Sequence, residues 1–258
     1  MNHPVILAAR RTPIGKFGGS LAKVPAPQLG AFAIAAALAD VPAAKAGIEE
    51  CVMGCVLQAG VGQNPARQAG LKAGLPDTLN ATTVNKVCGS GLQAVMQMAA
   101  SIKAGDIQCG VAGGMENMDL APHFAHIRAG VRFGDAKFID HMSADGLTCA
   151  FEKWGMGFAA DYTAKTAGVT REAQDKFSVQ SHLRAAQATK DGLYKAEIIA
   201  LTAEQISQKQ GLDADEGFRA DSNLESLTKL RASFEKDGTV TAGNSSQISD
   251  GAAAVIVA

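Results

Sequence analysis

Cys88 has the residue type and the local sequence that most favour nucleophilic chemistry in this chain. It lies within VNKVCGSG at 84–91, a pattern that predicts a β-branched strand turning through glycines into a helix. A thiol at the start of a helix meets unpaired amide donors and the positive end of the helix dipole, and both favour the thiolate. A small buried cysteine at a tight turn would show the same pattern. This stretch alone therefore leaves a catalytic and a structural role open.

The elements that would position Cys88 alternate between short apolar strands and helices. Predicted strands cover 5–9, 51–57, 81–87 and 107–112, and predicted helices cover 28–40, 65–73 and 90–104. This alternation predicts an α/β fold in which helices cover a largely parallel or mixed sheet. On the helix that follows Cys88, we expect Leu92, Met96 and Met98 to face the core.

The middle of the sequence is more polar and richer in loops than either end. We therefore predict a core formed by 1–118 and 243–258, with an inserted loop domain over 119–242. The clearest element of the inserted domain is a helix that Thr170 caps and that stops near Gly192. The apolar run that ends the given sequence, 251–258, is typical of a buried strand.

The composition excludes several classes of protein. The 258 residues carry 24 Lys+Arg against 25 Asp+Glu, which argues against nucleic acid or an anionic membrane as the main partner. With 47% hydrophobic and 19% charged residues, the chain is neither disordered nor a coiled coil. Its apolar runs are shorter than the roughly 20 residues of a membrane helix, and its N-terminus lacks a signal-peptide pattern, so we expect a cytoplasmic location. Five cysteines, an odd number, favour reduced thiols over a disulfide framework.

Other candidate sites give weaker signals. His123 and His126 lack a third and a fourth ligand nearby, so we expect no metal site. The glycine-rich stretch 15–20 lacks the Gly-Lys-Ser/Thr ending of a phosphate loop. Cys51 and Cys55 would share one face of a strand, where we expect them to be buried.

Two stretches, NKVCGSG at 85–91 and AGGMENM at 112–118, resemble motifs of the thiolase family. Three more are similar to motifs of that family: RRTPIGKFGG at 10–19, GQNPARQ at 62–68 and GTVTAGNSS at 238–246. The likeness covers essentially the whole chain. Within the family, the stretch 121–135 most resembles short-chain biosynthetic acetoacetyl-CoA thiolases, whose corresponding loop helps to assemble tetramers.

This resemblance implies acetyl-CoA acetyltransferase chemistry, with Cys88 accepting an acyl group from acyl-CoA as a thioester. The carbanion of a second acetyl-CoA molecule, or free CoA in the reverse direction, would then attack the thioester. Acyl-CoA and CoA are substrates in this scheme, and no separate cofactor is expected.

The resemblance also implies that the inserted region forms much of the CoA site. Arg219 would face the anionic nucleotide end, and Ser246 would hydrogen-bond a pantetheine amide. For the apolar residues among the eight positions named next, ordinary core packing is the alternative role. The positions that match the nucleotide and pantetheine path are Leu147, Met156, Arg219, Ser226, Phe234, Ala242, Ser246 and Ile248.

Two departures from the family pattern matter. Gly155 stands where many acetoacetyl-CoA thiolases carry a histidine, which leaves the acyl-chain preference open. The family's Asn-Glu-Ala-Phe, Gly-His-Pro and Cys-Gly-Gly-Gly motifs, which belong to its carboxy-terminal core half, do not occur in the 258 residues. In the family they supply the histidine that activates the nucleophile, the second cysteine that moves a proton and the asparagine that holds an oxyanion-hole water. We therefore expect the isolated chain to be close to inactive and to need a carboxy-terminal half as a partner.

Three interpretations follow from these residues. The first is a thiolase, which the family resemblance implies to be a homo-oligomer, a dimer or a tetramer. The second is a non-catalytic CoA-binding or assembly fragment of a thiolase, which would keep its CoA affinity after Cys88→Ala and show no turnover. The third is a related condensing enzyme such as a ketoacyl synthase, against which the inserted region and the GTVTAGN segment argue.

Overall fold

The chain folds into two compact units in the structure, a computed structural model that describes residues 3–258. The first unit contains the described residues up to Met142, together with Lys195–Glu216 and Ile248–Ala258. The second unit contains Ser143–Tyr194 and Gly217–Gln247. The inserted domain predicted over 119–242 overlaps the second unit, and its boundaries stay a prediction.

The first unit is built on a mixed sheet whose strands come from distant parts of the chain. These strands are β1 Ile6–Arg11, β2 Gly15–Lys16, β3 Glu50–Gly54, β4 Asn80–Val84, β5 Gly110–Glu116 and β8 Ser249–Val257. They are arranged in the order β1-β8-β5-β3-β4, and β2 pairs with β8. Strand β3 runs parallel to β4 and β5, whereas β8 runs antiparallel to β5 and β1. Two short strands, β6 His123–Phe124 and β7 Ile139–Asp140, form a separate pair.

Helices cover this sheet and also occur in the second unit. The first unit contains α1 Ala26–Asp40, a 3₁₀ helix over Pro42–Gly47, α2 Pro65–Lys72 and α3 Ser90–Ala104. A π-helical turn follows over Met142–Gly146, and the second unit contains α4 Met156–Ala167, α5 Arg171–Lys190 and α6 Leu224–Thr228. The predicted α/β fold, a mixed sheet covered by helices, is confirmed. Within residues 3–258, the helices are too short or too polar to cross a membrane.

The core lies on both faces of the sheet, because alternate side chains of the central strands point in opposite directions. On β3, Cys51 and Met53 belong to the cluster that α1 and α2 cover, whereas Val52 packs with Met98 of α3. Cys55 joins the first cluster, so both cysteines of this strand region are buried on one face, as their spacing predicts. A strand that is buried on both faces explains the nearly continuous apolar sequence of this segment.

Two strand ends differ from the prediction. β4 stops at Val84 instead of residue 87, because the residues after it form a turn. β5 begins at Gly110 and includes Gly113 and Gly114, which the sequence pattern would place after the strand. A Cβ added at Gly113 would overlap the carbonyl oxygen of Ala253 on β8, so a glycine is required inside the strand.

The exposed side of α3 also differs from the prediction. Met98 is fully buried as expected, but Leu92 is 68% exposed and Met96 is 56% exposed. The prediction that these two residues lie in the core of this chain was wrong. Residues 92 and 96 are four positions apart and so share one face of the helix, the face turned away from the sheet.

The glycine-rich stretch 15–20 is held by carboxylates from other parts of the first unit. Glu216 accepts hydrogen bonds from the amides of Lys16 and Ser20, at 3.2 and 3.1 Å, and Asp119 accepts one from the amide of Gly18 at 2.8 Å. Internal acceptors therefore occupy these amides. The arrangement agrees with the absence of a phosphate-loop sequence.

Candidate active site

Cys88 lies on the turn between β4 and α3, and its side chain is exposed. The amide of Gly89 donates to the carbonyl of Lys86 at 3.1 Å, which closes the turn immediately before the helix. Val87, the residue before Cys88, has a φ of 50°. The chain thus reverses sharply and presents the thiol next to the first turn of α3, where the helix dipole favours an anion.

Small residues allow α3 to begin directly against the sheet. A Cβ added at Gly54, the last residue of β3, would lie 2.6 Å from the Cβ of Ser90 and 2.7 Å from the amide nitrogen of Gly91. A Cβ added at Gly114 would lie 3.3 Å from the Cα of Gly91. Because β3, β4 and β5 are parallel, their carboxyl ends meet at one edge, and the Cys88 turn follows that edge.

The other cysteines are less suited to nucleophilic chemistry. Cys51, Cys55 and Cys109 are buried, and burial raises the pKa of the Cys51 thiol to about 12. Burial also raises the pKa of the Cys55 and Cys109 thiols, and the nearby Glu116 carboxylate adds to the effect at Cys55. Since the thiolate is the reactive form, these three thiols are expected to be inert. Cys149 is half-buried and belongs to the second unit.

Glu116 and Asn117 order the loops after β3 and β5. The Glu116 carboxylate accepts hydrogen bonds from the amides of Val56 and Leu57, at 2.8 and 3.1 Å. Its pKa is raised by burial. The buried side chain of Asn117 donates to the carbonyls of Leu21 and Val24, at 3.0 and 2.8 Å. Through these hydrogen bonds, both side chains hold the loops beside this edge of the sheet.

Asp250 and Asp119 form a carboxyl pair next to these loops. Asp250, which is 1% exposed, accepts a hydrogen bond from the amide of Met118 at 2.8 Å. Its Oδ2 is buried and has no donor among the residues that the structure describes. Burial, with a contribution from the neighbouring Asp119 carboxylate, raises the pKa of Asp250 to about 7. Protonation of Asp250 removes its charge from this buried site and its repulsion by Asp119, so the site is most stable when Asp250 is neutral.

Replacing Asp250 with asparagine should remove a loss of stability at alkaline pH. The pKa of Asp250 is raised above its unfolded value, so its contribution is complete at low pH and is lost as the pH rises through about 7. At pH 8 we expect Asp250→Asn to be more stable than the wild type by about 2 kcal/mol, because a carboxamide carries no charge at this site and is not repelled by Asp119. Urea denaturation at pH 5.5 and pH 8 measures this difference, with the exposed Asp106→Asn as control. An equal pH dependence in Asp250→Asn and the wild type would contradict the prediction.

The predicted CoA-contacting residues are divided between the two units. Ile248 lies immediately before β8 in the first unit and is half-buried, and the others lie in the second unit. Leu147 and Met156 are joined by a 2.9 Å hydrogen bond between the Met156 amide and the Leu147 carbonyl. The ring of Phe234 packs against α4 so closely that a Cβ at Gly157 would overlap it. Leu147 is half-buried, and Met156 and Phe234 are exposed.

The motif segment 238–246, which carries Ala242 and Ser246, is bound to α4 by a buried aspartate. Asp161 is 4% exposed and accepts hydrogen bonds from the amides of Thr239 and Val240, at 2.6 and 2.9 Å. Ala242 and Ser246 themselves are exposed. One buried carboxylate thus holds the backbone that presents two exposed residues.

An ion pair within α5 links the same segment to α6. Asp175 is fully buried and pairs with Arg171 at 2.8 Å, and its other oxygen accepts from the side chain of Asn244 at 2.9 Å. Arg171 also donates to the carbonyls of Leu227 and Leu230, at 2.6 and 3.0 Å. These bonds hold the end of α6, and Ser226 lies on that helix with its side chain exposed.

Arg219 is positioned through its backbone. Its amide donates to the Nδ1 atom of His182 on α5 at 3.1 Å, and its side chain is exposed. Gly155 adopts an extended conformation, with φ −69° and ψ 155°, and a Cβ added there would meet only the Leu147 carbonyl oxygen, at 4.0 Å. Space for a side chain therefore exists at residue 155.

Removing the Asp161 carboxylate should loosen the motif segment. We expect Asp161→Ala to lower the free energy of unfolding by about 2 kcal/mol, because two backbone amides lose a charged acceptor. Asp161→Asn keeps one acceptor oxygen and should cost less than half as much. Hydrogen exchange at the amides of Thr239 and Val240, together with urea denaturation, measures both effects. Unchanged protection of the two amides in Asp161→Ala would contradict this role.

Four side chains that hold these segments, Asp161, Arg171, Asp175 and His182, were not predicted from the sequence. A signal was present for one pair, since Arg171 and Asp175 are four residues apart on a predicted helix and so lie on one face. Asp161 and His182 carry no comparable local signal. Their partners, 78 and 37 residues away, are brought to them by folding.

Comparison with known proteins identifies the family of this chain. The family described as thiolase, N-terminal domain, matches residues 4–258. An acetyl-CoA acetyltransferase of Cupriavidus necator is 50% identical over 262 residues, covering 100% of this chain and 66% of the relative. Those of Chromobacterium violaceum and Escherichia coli are 50% and 48% identical, covering 98% and 100% of this chain and 65% and 66% of the relatives. The chain spans about two thirds of the length of these relatives. With a match to the family over nearly all of its residues, the chain belongs to the thiolase family and contains the N-terminal domain of that family.

Proposed function

We propose that Cys88 is the acyl-accepting nucleophile of an acetyl-CoA C-acetyltransferase. The observation that carries the proposal is the exposure of Cys88 at the start of α3, while Cys51, Cys55 and Cys109 are buried with raised thiol pKa values. The relatives named acetyl-CoA acetyltransferase support the same chemistry. The overall reaction is the condensation of two acetyl-CoA molecules to acetoacetyl-CoA, or thiolysis in the reverse direction.

The proposed reaction has two balanced steps. The Cys88 sulfur attacks the carbonyl carbon of acyl-CoA, the bond from that carbon to the CoA sulfur breaks, and CoA leaves with the proton that Cys88 gives up. A second acetyl-CoA then loses a proton from its methyl group, and the resulting carbanion attacks the acyl carbon. A carbon–carbon bond forms, and Cys88 leaves as a thiolate and regains a proton.

We further propose that Leu147, Met156, Arg219, Ser226, Phe234, Ala242, Ser246 and Ile248 contact the nucleotide and pantetheine parts of CoA. The exposed guanidinium of Arg219 suits an anionic nucleotide, and the exposed hydroxyl of Ser246 suits an amide. The hydrogen bonds made by Asp161, Arg171 and His182 support this proposal, because they hold the backbone that presents these residues. CoA is a substrate here, and no additional cofactor is proposed.

A carboxy-terminal thiolase half and a second copy of the chain are the proposed protein partners. The family's histidine and second cysteine lie in motifs that are not found among the 258 residues, so we expect these 258 residues by themselves to be acylated slowly at Cys88 and not to turn over. The stretch 127–138 supports self-association, since Phe133 and Phe138 are 101% and 74% exposed. Large exposed apolar groups of this kind are typical of interaction surfaces.

Incubation of the 258-residue chain with acetyl-CoA, followed by mass spectrometry of its peptides, tests the proposal. We expect a mass increase of one acetyl group on the peptide that contains Cys88, and little thiolysis of acetoacetyl-CoA. Acetylation of another cysteine would overturn the assignment. CoA binding without acetylation would favour the alternative of a non-catalytic CoA-binding or assembly fragment. Rapid thiolysis would show that the missing groups are supplied in another way.

A further inference from the structure

The backbone immediately before Cys88 has an unfavourable conformation that local side chains must hold. Val87 has a φ of 50°, in the left-handed region, where a β-branched residue is sterically disfavoured. Its side chain is 52% exposed, so packing around that side chain supplies little compensation. Strain of this kind persists only where surrounding contacts hold the backbone in place.

Asn85 holds the peptide group on the N-terminal side of Val87. The Val87 amide donates to the Oδ1 atom of Asn85 at 2.9 Å. This bond closes a side-chain turn of two residues and fixes the orientation of the amide. A side chain without an acceptor at residue 85 would leave this amide free to rotate.

Ser90 holds the peptide group on the C-terminal side of Val87. Its hydroxyl donates to the Val87 carbonyl at 2.6 Å and accepts from the Lys86 amide at 2.8 Å. One hydroxyl group thus bridges the residues on both sides of the turn. The Ser90 amide adds a third bond, to the same Val87 carbonyl, at 3.1 Å.

The sheet in turn anchors Ser90. Ser90 is 4% exposed and begins α3, and the lack of a side chain at Gly54 lets β3 approach it closely. Ser90 is therefore the fixed end of the turn. Val87 and Cys88, which lie between Asn85 and Ser90, are exposed.

We propose that Asn85 and Ser90 are positioning residues that hold Val87 in the left-handed conformation and thereby fix the Cys88 thiol at the start of α3. This inference rests on the proposed function for its link to acyl transfer. Neither side chain takes part in bond making. Each acts through the Val87 peptide groups, so the need for both should disappear when residue 87 adopts a positive φ without strain.

The experiment measures two rates at Cys88 in the 258-residue chain, each by mass spectrometry of its peptides. The first is alkylation by iodoacetamide, which requires no CoA site, and the second is acetylation by acetyl-CoA. For Asn85→Ala and Ser90→Ala we expect alkylation to slow about threefold and acetylation about tenfold, since acyl transfer depends more strongly on geometry. Asn85→Asp keeps the acceptor oxygen for the Val87 amide but places a negative charge near the thiol, so both rates should fall less than in Asn85→Ala.

A glycine at residue 87 separates positioning from a general loss of structure. In Val87→Gly, the additional change Asn85→Ala should alter either rate by less than about twofold, because glycine adopts positive φ freely. A role in stability alone would make Asn85→Ala equally harmful in both backgrounds. Thermal denaturation of each variant monitors folding. If Ser90→Ala fails to fold, the comparison of Asn85→Ala with Asn85→Asp still tests the proposal.

The two rates also separate this proposal from the proposed function. If wild-type Cys88 is alkylated but never acetylated, the proposed function fails, and alkylation with its glycine rescue still tests the positioning role. If Asn85→Ala leaves both rates unchanged, or if Val87→Gly does not rescue it, the positioning role is overturned.

Discussion

Replacement of Cys88 by serine is expected to lower the rate of acyl transfer from acetyl-CoA by at least about a thousand-fold, since removing the nucleophile abolishes the covalent step. A serine hydroxyl is far less ionised than a thiol at neutral pH, and the helix dipole at the start of α3 cannot close that gap. The measurement is the amount of acetyl group bound to each cysteine-containing peptide over time. In the Cys88→Ser variant we expect no acetylated cysteine.

Cys149→Ser is the matched control for this prediction. Cys149 is half-buried, so it is more accessible than Cys51, Cys55 and Cys109, and it lies in the second unit. Its replacement should leave acetylation of Cys88 unchanged. Acetylation that persists in Cys88→Ser but disappears in Cys149→Ser would assign the nucleophile to the second unit instead.

Replacement of Gly54 by alanine is expected to lower the free energy of unfolding by about 3 kcal/mol, because the new methyl group has no space. The added Cβ would lie 2.6 Å from both the carbonyl carbon and the Cβ of Ser90. The obstacle is the first turn of α3, which cannot swing aside as a flexible side chain can. Relief of the clash must shift α3 away from β3 and move the Cys88 turn with it. Urea denaturation measures the loss of stability, and the rate of Cys88 acetylation should fall in parallel.

Gly47→Ala provides the control, since a Cβ at Gly47 meets no atom within 4 Å. This residue ends the 3₁₀ helix and is exposed, so its replacement should change stability by less than about 0.5 kcal/mol, as is usual at surface positions. Equal stabilities of Gly54→Ala and Gly47→Ala would contradict the close approach of α3 to β3.

The elements around Cys88 were predictable because their signals are local. A helix start after glycines, a proline at the first position of α2 and a threonine cap on α5 depend on neighbouring residues. The family resemblance likewise rests on short ordered motifs, and the family match confirms it. The assignment of Cys88 as nucleophile, and the set of CoA-contacting residues, stay predictions that the proposed experiments test.

The exposed face of α3 could not be read from periodicity. The apolar residues Leu92 and Met96 have helical spacing, but that spacing does not reveal which faces another layer covers. In the described residues, the sheet covers the face with Ala94 and Met98. The strand limits have the same origin, since Gly113 belongs to β5 through its pairing with Met53 of β3 and Ala254 of β8.

By itself the sequence determined the fold class, the turn that carries Cys88 and membership of the thiolase family, because each is encoded in contiguous residues. Tertiary structure decided how strongly burial raises the pKa of the Cys51 and Cys55 thiols, and it decided that Lys195–Glu216 packs within the first unit. It also brought Asp161 to the amides of Thr239 and Val240. The reason is that desolvation and hydrogen-bond partnership depend on residues far apart in the chain, which become neighbours only after folding.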